Sequence, residues 1–228
     1  MKKLAPSYDR GGAMKTTEKK RQGWAVLLGL LCCVKTMTGA GPAFARAHAE
    51  KEDGIELGMS VWVYNYAQVT PKNLEEAERE AGAILRKAGV QLAWLHCQAP
   101  DCEQPLGPMT LVLNLLPQAM ASRLGAGGDV FGFSIVSTDG PPSSRAVIFY
   151  DRVRALTGKF GYSTGAALGR VIAHELGHLL LETNGHTLTG IMRDRWSYDD
   201  LLNTAHGRLL FTSKQTERIR SEVRRRAQ

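Results

Sequence analysis

His174-Glu175-Leu176-Gly177-His178, followed by Leu179-Leu180-Leu181-Glu182-Thr183-Asn184-Gly185-His186, places three of the chain's six histidines within thirteen residues. On a helix, positions i and i+4 lie on one face about one turn apart. The rings of His174 and His178 can therefore converge on one ion, with Glu175, one step round, facing a water on it. Three neutral imidazoles suit Zn2+ and leave a fourth position open, which is the arrangement of a hydrolytic rather than a closed structural site. Glu175 is then the candidate general base, and His174, His178 and His186 the candidate ligands of one catalytic zinc.

The flanking residues predict a helix around the first two histidines. Val171, Ile172, Leu176, Leu179 and Leu180 recur at mixed spacings of three and four, Ser163 or Thr164 offers a start, and no proline intervenes before Asn184-Gly185. These signals give a buried helix of roughly 18–20 residues. Asn and Gly tolerate the left-handed conformation that ends helices, so the break is expected at Asn184-Gly185, with His186 directly after it. Other side chains compete for the third ligand position: Glu182, Asp194, the Asp199-Asp200 pair and, as a poor zinc ligand, the amide of Asn184. Glu182 stands eight residues past His174, a rise of about 12 Å on a helix, too far for one tetrahedral ion. Met192, in Thr189-Gly190-Ile191-Met192, reads on its own as a flexible core-filling side chain.

His174-Glu175-x-x-His178, a third histidine shortly after and then Met192 together resemble the metzincin zinc peptidases. Two positions depart from that pattern. Where the family has glycine and its third ligand, this chain has Leu181 and Asn184, and the histidine comes two residues later. The resemblance implies an α/β (α+β) fold: a mixed twisted sheet with an antiparallel edge strand, a backing helix, the zinc-binding helix and a C-terminal helix. It also implies an endopeptidase acting on a peptide or protein substrate, which would lie along the edge strand within Val130–Ser137. Met192 becomes a Met-turn residue packed beneath the metal. The tyrosine that some members place two residues beyond this methionine is replaced by Asp194, leaving Tyr198, Arg193 or the metal alone to stabilise an oxyanion.

Residues 1–45 carry the marks of an export signal. Lys15, Lys19, Lys20 and Arg21 precede the apolar run Trp24–Val34, too short to span a bilayer, and Ala43-Phe44-Ala45 supplies small residues for cleavage after Ala45. Ala47-His48-Ala49 is an alternative cut at Ala49, Met14 an alternative start, and a membrane anchor the competing reading of the apolar run. This stretch holds eight of the 29 Lys/Arg and two of the 22 Asp/Glu, leaving 21 against 20 in the remainder. The formal net charge of +7 is thus mostly a property of the leader, and nucleic-acid binding loses its support. The arginines at 218, 220, 224, 225 and 226 remain as a local cluster, read as a solvated helix face or an anionic contact.

Cys32 and Cys33 fall in the leader, so a secreted or periplasmic protein keeps Cys97 and Cys102, spaced for a small disulfide loop. A second metal site with His96, lacking a fourth ligand, is the alternative. Upstream of the histidines the predicted order is a strand over Met59–Ala67, an amphipathic helix over Pro71–Ala88, a strand over Val90–His96, strands over Thr110–Leu116, Val130–Ser137 and Ala146–Tyr150, a Gly-rich turn at Gly125–Gly128, and then the zinc helix. Ser213–Arg226 closes the chain as a helix capped by Thr212 or Ser213. Residues 46–228 read as a single domain without a lasting membrane anchor. Two functions fit: a secreted zinc endopeptidase, or a secreted binding domain in which zinc only fixes the Leu181–Met192 loop.

Overall fold

The computed structural model describes residues 57–98, 102, 104–124, 130–137, 140–194, 196 and 209–228. The expected leader with its cleavage sites, the Gly125–Gly128 turn, Tyr198 and the Asp199-Asp200 pair lie outside the described residues. In chain order the elements are β1 (Leu57–Asn65), α1 (Pro71–Lys87), β2 (Val90–His96), β3 (Thr110–Leu116), α2 (Gln118–Arg123), β4 (Gly132–Ile135), β5 (Arg145–Phe149), α3 (Tyr150–Phe160), α4 (Thr164–Leu181) and α5 (Ser213–Arg226). The five strands form one mixed sheet in the order β2-β1-β3-β5-β4. β1 is parallel to β2 and β3, β3 is parallel to β5, and β4 alone runs antiparallel, at the edge beside β5.

Alternation along β1 sorts its side chains: Met59, Val61 and Val63 are buried, while Trp62 and Tyr64 face the opposite side and are half-buried. α1 starts with Thr70 as N-cap and Pro71 at its first position, both suited to a helix start. It buries Leu74, Ala77, Ala81, Ile84 and Leu85 along one stripe. Gly89, at φ 83, then turns the chain directly into β2.

α4 lies so close to α1 that small residues are obligatory at the crossing. A Cβ on Gly169 would sit 2.6 Å from both the Ala77 carbonyl oxygen and the Glu80 Cβ, and one on Gly165 would sit 2.6 Å from the Glu76 Cβ. Such proximity gives the two helices extensive dispersion contact and leaves α4 buried on all sides. α5 begins with a capping box between Thr212 and Gln215 and packs Ile219 and Val223 into the same core.

Several boundaries differ from the sequence reading. β1 begins at Leu57 and ends at Asn65, where the Asn65 side chain bonds both the N–H and the C=O of Val69 and closes a turn. β4 is only four residues long, and β5 starts at Arg145. The helix bearing His174 and His178 does not follow β5 directly: α3 intervenes, ending at Gly161 in the left-handed region. α3 escapes periodicity because its inward side is thin, with Tyr150, Val153 and Thr157 buried in an otherwise polar segment. α2, six residues, buries only Ala121. Cys97 and Cys102 form a disulfide, and His96 pairs with Glu78 at 2.6 Å. The arginine cluster is not simply a solvated face, since Arg226 is buried and Arg220 donates to the Ala88 carbonyl. No helix among the described residues is long and apolar enough to cross a membrane.

Candidate metal centre

α4 presents His174 and His178 one turn apart, both buried, and the segment after the helix returns His186 to them. The nearest ring nitrogens of the three histidines all lie within 4.8 Å of one another. Ring centroids are 4.7 Å apart for His174–His178, 5.3 Å for His174–His186 and 5.0 Å for His178–His186.

Tautomers follow from the backbone. His174 Nδ1 lies 2.7 Å from the Ile191 carbonyl oxygen and His178 Nδ1 lies 2.7 Å from that of Thr183. A carbonyl only accepts, so each Nδ1 carries the proton and each neutral ring turns a bare lone pair outward at Nε2. Those two Nε2 atoms are 3.0 Å apart. Facing lone pairs at that distance repel unless something positive lies between them. A proton is a poor candidate, because burial, against the help of the Ile191 carbonyl, pushes the His174 imidazolium down to about 4, and burial also lowers His178.

A zinc ion suits this donor set. Zinc–imidazole bonds of about 2.0–2.1 Å in a tetrahedron place ligand nitrogens roughly 3.3 Å apart, near the separation of the two helical rings. His186 is exposed, so its ring adjusts without disturbing the core. Asp194 Oδ1 stands 3.7 Å from His186 Nδ1, beside the third ring.

Glu175 is buried against β4. Ser134 Oγ lies 2.8 Å from Glu175 Oε2 and equally far from the Glu175 backbone carbonyl. The carboxylate also covers Gly132, where a Cβ would come within 3.0 Å of Oε1. Burial pushes the carboxyl up to about 7, against the opposing Ser134 hydrogen bond. A carboxyl poised near neutrality can both take up and release a proton at physiological pH.

The helix stops earlier than the sequence suggests. Leu181 is the last residue of α4, and Glu182, not Asn184-Gly185, takes the left-handed conformation at φ 47, ψ 48. The stop is fixed by contacts made only in the fold: the N–H groups of Glu182 and Thr183 both close on the His178 carbonyl, and the Glu182 carboxylate lies 3.0 Å from Arg225. Glu182 thus points toward α5, Asn184 is exposed in the turn, and His186 joins the two helical rings.

Met192 is fully buried, with its sulfur against Gly177, where a Cβ would come within 2.6 Å of it. Its carbonyl accepts from the Thr187 N–H, and Arg193 bridges Thr187, closing the loop that carries His186. Two further residues at the site are Ser134 and Trp196. Trp196 donates from Nε1 to the Ile191 carbonyl at 3.3 Å and sets its ring edge-on to His174, 5.5 Å away. The sequence signal for Ser134 is a small polar residue on the inward side of the edge strand. Trp196 carries no comparable signal.

No protein-family model matches the sequence, and no curated protein matches it. Solved structures resemble its fold. A zinc-dependent peptidase from Methanocorpusculum labreanum is 16% identical, covering 70% of this chain and 99% of its own, with a TM-score of 0.44. Archaemetzincin from Methanopyrus kandleri is 18% identical, covering 74% and 97%, with a TM-score of 0.46.

Proposed function

We propose that this chain is a zinc-dependent endopeptidase, exported through its N-terminal leader, with His174, His178 and His186 holding one zinc ion and Glu175 as general base. The observation that carries the reading is the pair of bare Nε2 atoms at 3.0 Å, fixed by two backbone carbonyls, with a third imidazole beside them. Bound there, zinc would supply Lewis-acid polarisation of a scissile carbonyl and acidification of a water.

The chain's own residues do the rest. The Ile191 and Thr183 carbonyls hold the helical rings in the ligating tautomer. Glu175 accepts the proton of the attacking water on its carboxylate and returns it to the leaving amine nitrogen. Ser134 steadies that carboxylate, and β4, the edge strand among the described residues, offers backbone groups to an extended peptide. Met192 acts as the Met-turn residue, supporting the site from below, and the oxyanion would be stabilised by Arg193, Tyr198 or the metal alone. The disulfide Cys97–Cys102 supports an oxidising compartment.

A zinc-stabilised binding domain would have no use for a buried carboxylate on the residue next to a ligand, so Glu175 favours the enzyme. The test is metal analysis of wild type and Glu175→Ala beside cleavage of casein or a peptide library. One zinc per chain in both, with cleavage only in wild type, is the expected result. Cleavage that survives in the alanine variant would remove Glu175 from its role, and His186→Ala with undiminished zinc would move the third ligand elsewhere.

A further inference from the structure

Glu182 is one of only two non-glycine residues at positive φ among the described residues, and it sits where the metal-bearing helix must stop. Its N–H and that of Thr183 both close on the His178 carbonyl, and the Thr183 carbonyl turns back to accept from His178 Nδ1. This turn is the upstream anchor of the segment that carries His186; the downstream anchor is the pairing of Thr187 with Met192 and Arg193. Gly185, three residues on, is not in the left-handed region, so the unfavourable conformation falls on a side chain that rarely adopts it.

The last turn of α5 compensates for that choice. Arg225 Nη2 donates to Glu182 Oε1 at 3.0 Å, while Glu222 holds the same guanidinium at Nε and Nη2, each at 2.7 Å. A fork gripped at two points is preorganised for its third contact. Next to it, Arg226 is buried and donates to the Leu179 carbonyl, one of the last helical carbonyls of α4. Its other contacts run to Glu222, the Ser143 carbonyl and, at the longer distance of 3.9 Å, Glu182 Oε1, so Arg225 supplies the shorter of two arginine contacts to that carboxylate.

We propose that the Arg225–Glu182 pair, anchored by Glu222, positions the third histidine by holding the end of α4 in its left-handed turn, so that zinc affinity depends on a helix some forty residues away in sequence. This rests on the zinc reading above. A surface ion pair would ordinarily matter little. Here it acts on a backbone conformation that the side chain does not favour and the metal loop requires, and Glu182 and Arg225 are positioning residues, neither of them touching the ion.

Zinc dissociation constants measured on the full chain by competition with a fluorescent chelator test this, for wild type, Arg225→Ala, Glu182→Gly and the double variant. Arg225→Ala should weaken zinc about three- to tenfold, the range set by the conformational preference being released. Glu182→Gly, at ease in the left-handed region, should bind within about threefold of wild type. Adding Arg225→Ala to it should change nothing further. Arg225 is exposed, so the melting temperature of the metal-free protein should move little. Unchanged affinity in Arg225→Ala overturns the proposal, as does an equal loss in the glycine background. If wild type itself takes up no zinc, the functional reading falls and this inference falls with it; the two failures are separable because failure of the inference alone leaves wild-type binding intact.

Discussion

α1 and α4 are nearly equal in length, 17 and 18 residues, and lie against each other on the same sheet, yet they are built on opposite plans. α1 is two-sided: one apolar stripe buried, the other face wet. α4 buries 16 of its 18 residues, so every polar group on it must find a partner inside the protein. Arg170 finds Glu80, Glu175 finds Ser134, and the Nδ1 atoms of His174 and His178 find carbonyls. Only the two facing Nε2 atoms are left with each other. In a helix without a wet face, what is left over after the hydrogen bonds are counted identifies the site, and α1 leaves no such remainder.

The largest effect that tests this contrast is on catalysis. Glu175→Gln keeps the shape and the Ser134 contact but removes the base, and should lower kcat by about 10²–10⁴-fold with zinc retained. An equal substitution on the wet face of α1, Glu75→Gln, should leave kcat unchanged. Next in size is packing. Gly169→Leu would drive a branched side chain into the α1 backbone at Ala77 and Glu80, costing about 3 kcal/mol or more and lowering the urea midpoint accordingly. If that variant were as stable as wild type, the close approach of the two helices would be wrong.

The third effect concerns pH in the metal-free protein. Burial pushes the Glu175 carboxyl up to about 7 in the fold from its ordinary 4.5, so its contribution is present at low pH and lost as pH rises from about 4.5 to 7, a change of about 3 kcal/mol. His174 runs the other way: depressed from 6.5 to about 4, it removes stability as pH falls through that window. His178 is lowered by burial as well and adds to His174, so Glu175 opposes both histidines across pH 4.5–6.5. By urea denaturation after chelator treatment, Glu175→Gln, lacking the opposing carboxyl, should therefore gain stability more steeply than wild type as pH rises through that range. Parallel curves for the two proteins would mean that Glu175 is not buried as described.

The same contrast governs what was legible beforehand. Where residues face water on one side, as in β1, α1 and α5, alternation or helical periodicity located the elements to within a residue or two. α4 was found from its histidines and its start signal. α3 was missed because three buried positions in a polar segment give little periodic signal. At the site, the clustering of His174, His178 and His186 was visible as spacing. The stopping point of α4 was not, because Glu182 meets its partner Arg225 only in the folded chain, and no local rule links residues that far apart. Ser134 and Trp196 reach the site from other elements for the same reason.

The smallest test compares the starts of the two helices. Thr70 caps α1 by accepting from the Asn73 N–H at 3.4 Å, and Ser163 caps α4 by accepting from the Ala166 N–H at 3.2 Å. Removing either hydroxyl leaves an orphan donor, so Thr70→Ala and Ser163→Ala should each cost about 1 kcal/mol by urea denaturation. Zinc affinity should separate them from the substitutions at the other end of α4. Ser163 stands eleven residues before His174, about 16 Å along the axis, and Gly165 and Gly169 pin the intervening turns to α1. Fraying at the cap should be absorbed before it reaches the rings, leaving zinc binding unchanged in both variants. A loss of affinity in Ser163→Ala but not in Thr70→Ala would show that α4 transmits disorder along its whole length, and that its packing against α1 does not insulate the site.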